Sequence, residues 1–309
     1  MEPGIRYNAS WNPLAHSDPS FTARDLARDQ AKPRGAGVEA RMTILVLATL
    51  LLYVASFAAY LWNLYSEHLA IGRIATACLA AGLVLHYYAL LERAHMLHAV
   101  PYEDLWGSLS LFAWLLGATY LSLELVHRSR GVGPFALPFV IILFALSHTH
   151  DAVAHETPAR GPLFALHVTL NILAYSAFAL AFILSGIFLL QNRLLRGRKV
   201  GGVFWRFPTL DFLDRMSRSA VIVGVLALAA GVTFGFVWAH RLHGVYWSGD
   251  PKEVVSLLLF VIYVAYLWLG RTPAWRGARA SALCVLNFVL VLFSYSIVNI
   301  YLSGYHRFY

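Results

Sequence analysis

Long apolar runs broken by short polar connections dominate the chain. They predict membrane spans at about 42–64, 69–91, 105–126, 134–147, 163–190, 219–239, 254–270 and 280–303. About 20 apolar residues carry a helix across a hydrocarbon core of ~30 Å, and most of these runs reach that length. None alternates apolar with polar residues, as the strands of a lipid-facing barrel must. The pattern therefore predicts an all-α polytopic membrane protein of about eight transmembrane helices. The fourth run is short: ~14 residues make about 21 Å of helix, so it reads either as a partial span or as a re-entrant piece. Ahead of the spans, residues 1–41 mix Pro, Gly, Asp and Arg with no apolar stretch near Met1. They are expected to form a polar N-terminal tail or docking arm, not a cleaved signal peptide, in front of a membrane domain at 42–309.

Composition agrees. The 309 residues are 59% hydrophobic and 13% charged, with mean hydropathy +0.61, whereas soluble domains carry about a quarter charged residues. The formal charge of +8 is explained by placement. Arg193, Arg196, Arg198, Lys199, Arg206, Arg215 and Arg218 crowd one connection against Asp211 and Asp214, and 271–279 holds three arginines and no acid. Such loops stay in the cytoplasm, so the charge orients the chain in the lipid bilayer and calls for no nucleic acid. Eight alternating spans then put the connections near 92–104, 148–160 and 238–253 outside, with both termini. The two cysteines, Cys78 and Cys284, lie inside apolar runs and no C-x-x-C exists. That excludes thiol-redox chemistry for this chain.

The most informative connection is Trp238 to Glu253, W-A-H-R-L-H-G-V-Y-W-S-G-D-P-K-E. Trp238, Tyr246 and Trp247 give it flat rings. Asp250 suits a helix N-cap, Pro251 the first helical position, and Glu253 the third, which completes a capping box. Two histidines are expected at the same depth. Counting ~20 residues up the fifth and eighth spans from their cytoplasmic ends places His167 and His306 just outside the hydrocarbon. Paired neutral imidazoles can ligate haem iron on its two faces, with rings packed on the porphyrin and Arg241 or Lys252 near the propionates. The plainer reading of each histidine is an interfacial side chain bonded to water or a lipid headgroup. The loop at 147–156 offers His148, His150, Asp151 and His155, either as a solvated polar loop or as ligands for Zn or Cu.

These residues carry a resemblance. Gly244, Trp247, Asp250, Pro251, Lys252 and Glu253 match the tryptophan-rich haem-handling motif W-x5-W-G-x2-W-x-W-D-P-K-E of the cytochrome c assembly family, and Trp238, with four residues between it and position 243 where the motif has five, resembles its first tryptophan. His243 and Gly249 stand where that motif has tryptophans. H-V-T-L-N-I-L-A-Y-S-A-F at 167–178, G-Y-H-R-F-Y at 304–309 and V-P-Y-E-D-L-W-G-S-L-S-L-F-A-W at 100–114 resemble further family segments. The likeness runs from about residue 95 to the C-terminus and is to the CcsA/ResC branch.

The resemblance implies a function. Members of that branch work with a CcsB-like membrane protein in the bacterial cytoplasmic (inner) membrane. Together they form a cytochrome c synthase, or haem lyase, which carries haem b outward and presents it to apocytochrome c. By this likeness His167 and His306 are axial ligands of the haem iron, and Trp238, Tyr246, Trp247 and Asp250 frame the haem; Asp250 is equally explained as a cap. One departure matters: the family has an intramembrane histidine in Y-L-H-T-R, and here Trp268 occupies that place. His86, the other intramembrane histidine, is expected to be a packed, hydrogen-bonded residue. The alternative function is a haem-poor CcsA-like structural or docking subunit of a larger membrane complex.

Overall fold

The computed structural model describes residues 36–66, 68–97, 100, 104–150, 161–198, 201, 206–244, 246–247 and 251–293. Eight α-helices lie among them: α1 Ala36–Ser66, α2 Leu69–Leu97, α3 Leu105–His127, α4 Gly133–Leu146, α5 Gly161–Arg196, α6 Leu210–His243, α7 Pro251–Leu269 and α8 Ala278–Phe293. A 3₁₀ turn, Pro273–Trp275, joins α7 to α8. No strand occurs among the described residues. Among the described residues five helices are long and apolar enough to cross a bilayer: Ala40–Ser66, α2, α3, α5 and Leu210–Leu242. Gly133–Leu146, Glu253–Leu269 and Ala278–Phe293 are shorter apolar helices. The protein is an all-α polytopic membrane protein. The chain divides into two compact units, Met1–Ile44 and Leu45–Tyr309; of the first, residues 36–44 are described, and they are helical.

Local chemistry sets the helix ends. Asp104 has extended backbone and its side chain accepts from the Gly107 amide at 3.0 Å, which starts α3. Arg128, at φ 52°, stops it. Pro134 occupies the start of α4, where a missing N–H costs nothing, and Pro138 sits inside it. Thr209 caps α6 through the Phe212 amide. That cap begins α6 at Leu210, well before the apolar run at Ser219. The first turns of α6 are polar and carry an Asp211–Arg215 ion pair one turn apart, so hydropathy alone reads them as loop. Likewise α5 continues past Leu190 to Arg196 and α1 begins at Ala36, because helix propensity does not end where apolarity does.

The bundle is built around α5, which packs on α6, α3 and α8. Its most apolar window is 61% buried, against 22% for the α1 window, so α5 is enclosed and α1 lies at the margin. Phe178 of α5 stacks on Tyr263 of α7 with ring centroids 3.6 Å apart. Leu51, Ile142 and Val261 are exposed on the outside, where lipid tails cover them. Two buried polar networks hold α1 and α2 to α3. In the first, the Glu124 carboxylate accepts from Tyr60 at 2.5 Å, Tyr120 at 2.6 Å and Thr76 at 2.5 Å, with Arg130 beside it. In the second, His86 bridges Tyr53 at 2.9 Å and Ser110 at 3.0 Å. Both imidazole nitrogens are thereby engaged, as expected for a packed residue. Arg93 and Asp104 add a buried ion pair at 2.6 Å.

Candidate functional site

His167 lies on the second turn of α5 and is half-buried against α6. Its Nδ1 is 2.7 Å from the Gly231 carbonyl oxygen. A carbonyl only accepts, so Nδ1 carries the proton and the lone pair lies on Nε2. Asn171, one turn on, donates from Nδ2 to the His167 carbonyl at 2.8 Å and flanks the imidazole. Gly235 faces the ring: a Cβ there would fall 2.5 Å from Nδ1. At Gly231 a Cβ would be 3.0 Å from Asn171 Oδ1 and 3.2 Å from its backbone nitrogen. The two glycines, four apart, let α5 and α6 approach closely, as small residues do between membrane helices.

Aromatic rings surround this point. Phe164 packs on Trp238, with centroids 4.9 Å apart, and lies 6.3 Å from the His167 ring. Trp238 belongs to α6 itself and not to the connection, because the helix runs on to His243. Gly244, at φ 73°, then ends it by donating to the His240 carbonyl at 2.9 Å, a left-handed cap that glycine adopts without strain. Tyr246 stacks on His240 with centroids 4.0 Å apart and ring planes 7° apart. Trp247 packs by Phe236 at 6.1 Å. Phe236 follows Gly235 directly, so Trp247 returns to the height of His167. At about 100° per residue, however, Phe236 and His240 lie on a different face of α6 from Gly231 and Gly235.

The structure thus brings His167 and Trp238 together through Phe164, and sets Tyr246 and Trp247 around the flank of the same helix. Tyr246 and Trp247 are 58% and 44% exposed, so their rings are open to a ligand or a partner. Asp250 and His306 lie outside the described residues, as do Asp151 and His155 of the 147–156 loop. The loop's two described histidines are engaged separately. His148 Nδ1 is 2.9 Å from the Phe144 carbonyl, and His150 stacks on Trp106 at 4.0 Å. No group of three metal-ligating side chains occurs among the described residues. Trp268 is 64% exposed on the outside of α7.

Sequence reasoning did not single out Gly231, Gly235, Asn171 or Phe164 as parts of the site. The signal was present: Gly-x-x-x-Gly within an apolar helix, and an amide one turn from the histidine.

Comparison with known proteins agrees with this architecture. The family described as cytochrome c assembly protein matches residues 102–306. Among similar proteins, the cytochrome c biogenesis protein CcsA of Parasynechococcus marenigrum (strain WH8102) is 30% identical over 262 residues, covering 76% of this chain and 84% of the relative. CcsA of Synechococcus sp. (strain CC9902) is 28% identical with the same coverage, and CcsA of Porphyra purpurea is 27% identical over 251 residues, 67% of this chain and 78% of that one. Among solved structures, cytochrome c haem lyase CcmF superposes with a TM-score of 0.61 at 17% identity, which establishes a shared fold. The match covers 85% of this chain and 47% of that longer one. With about two thirds of its length inside the family match, and a CcsA relative 30% identical over 76% of it, the chain belongs to the cytochrome c assembly protein family.

Proposed function

We propose that this protein is a haem-handling subunit for cytochrome c maturation. It presents haem b on the periplasmic face of the bacterial inner membrane, where a CcsB-like partner and apocytochrome c meet it. The observation that carries the reading is the His167 Nδ1–H to Gly231 carbonyl bond at 2.7 Å. A metal-ligating histidine characteristically donates its other N–H to a fixed acceptor, which orients the ring and raises its basicity. The donor set therefore fits an iron porphyrin: an oriented imidazole, with rings at Trp238, Phe164, Tyr246 and Trp247 that offer π-faces.

In this reading His167 and His306 are the axial ligands, and Trp238, Tyr246, Trp247 and Asp250 frame the cargo. Arg241 is exposed beside the aromatic connection and pairs with a propionate. Haem supplies the vinyl groups that accept the two thiols of apocytochrome c. The chain's own part is to hold the porphyrin in place, ligate the iron and keep the reacting edge open to the partner.

The test is an optical spectrum of the purified protein with haem. A low-spin bis-imidazole Soret band is expected in the wild type, and it should be lost in His167→Ala and in His306→Ala. Persistence of the band in both variants sinks the ligand assignment. A stable multi-subunit complex with no haem at these histidines would instead favour the docking-subunit reading.

A further inference from the structure

We infer that Gly231, Gly235 and Asn171 are positioning residues for His167: they fix its tautomer and ring orientation, and through them the reduction potential of the iron it holds. The inference rests on the proposed role of His167 as an axial ligand.

Three contacts define the cradle, and each constrains a different freedom of the imidazole. The Gly231 carbonyl takes the Nδ1 proton at 2.7 Å, so the tautomer is set. This carbonyl reaches the ring only because no side chain at Gly231 holds the helices apart, the α5 backbone at Asn171 lying in its place. Gly235 forms the floor under the ring, where a methyl group would come within 2.5 Å of Nδ1 and 2.6 Å of Cε1. A shift at this floor therefore separates Nδ1 from the Gly231 carbonyl. Asn171 is the side wall. Its amide nitrogen, held by the His167 carbonyl, stands 3.2 Å from Nδ1. An imidazole whose N–H is given to a carbonyl is the more basic ligand and favours ferric iron, so loss of that bond raises the potential.

The prediction concerns potential and tautomer, and two measurements read them. In redox titration of the haem-loaded protein, Gly235→Ala should shift the potential positive and weaken the low-spin spectrum. Asn171→Ala should shift it the same way by less. Gly186→Ala is the control: it lies on α5 with open space at its Cβ, and should leave the potential unchanged. In haem-free protein labelled with 15N-histidine, the signal assigned by its absence in His167→Ala should show a proton on Nδ1 in the wild type, and should change in Gly235→Ala. If Gly235→Ala fails to fold, Asn171→Ala carries both measurements. Wild-type potential and an unchanged Nδ1 signal in the folded variants overturn the inference. Retention of the bis-imidazole spectrum in His167→Ala is a separate outcome: it removes the ligand reading, while the NMR result still reports whether the cradle fixes the ring.

Discussion

The hydroxyl of Tyr60 donates to the Glu124 carboxylate at 2.5 Å, joining α1 to α3 inside the bundle. Glu124 is 2% exposed, and Thr76 from α2 and Tyr120 from its own helix bond to the same carboxylate. One side chain thus ties three helices. Hydrocarbon gives apolar helix faces little reason to prefer each other over lipid, so a satisfied polar knot is an effective fastening there. Glu124→Ala removes the acceptor of the Tyr60 and Tyr120 hydroxyls, while Thr76 keeps the Gly72 carbonyl, and is expected to destabilise the protein by about 3 kcal/mol. Glu124→Gln keeps acceptor capacity and should cost less. Thermal unfolding in detergent checks this, with limited proteolysis reporting release of α1 and α2. Equal melting temperatures for Glu124→Ala and wild type would refute it.

Asp104 serves two ends at once. It caps α3 through Gly107 and pairs with Arg93 at 2.6 Å, both side chains being more than nine-tenths buried. Asp104→Asn keeps the cap and drops the charge, while Asp104→Ala loses both. The alanine variant is expected to be the less stable by about 1 kcal/mol, the usual worth of an N-cap. Both should fall well below wild type, because each leaves the Arg93 guanidinium buried without its carboxylate. The order of the three melting temperatures is the measurement.

His86 is expected to matter for the fold and not for haem. It is fully buried and bridges Tyr53 and Ser110. His86→Ala orphans both partners and opens a cavity beside Phe144, for a loss of about 2–4 kcal/mol. The Soret band per folded molecule should stay at its wild-type position. A shifted band would make His86 a ligand and remove the structural account.

Trp247 should behave in the opposite way. It is 44% exposed with Phe236 as its ring neighbour. Trp247→Ala is expected to change stability by less than about 1 kcal/mol, yet to lower the haem retained on purification. Retained haem equal to wild type would leave Trp247 outside the site.

Sequence and structure agree unevenly, for physical reasons. The start of α7 was legible: the helix begins at Pro251, the first helical position that the sequence implies. The polar starts of helices were not, since α6 begins at Leu210 under a Thr209 cap that hydropathy does not register. Trp238 reads as loop because polar residues follow it, but Gly244 places the true stop six residues on. His86 was legible as a packed residue, since a lone imidazole in an apolar run needs local partners.

By itself the sequence determined the apolar helices and the family. Apolar run length and end chemistry are local properties, and bilayer thickness converts them directly into spans. Only the tertiary structure decided that His167 turns toward Gly231 and Gly235, and that Tyr246 and Trp247 lie around another face of α6. Those relations join residues 64 or more positions apart in one case and a folded-back connection in the other. They depend on how closely two helices pack and how each is rotated, and helical periodicity fixes neither until the neighbouring surface is present.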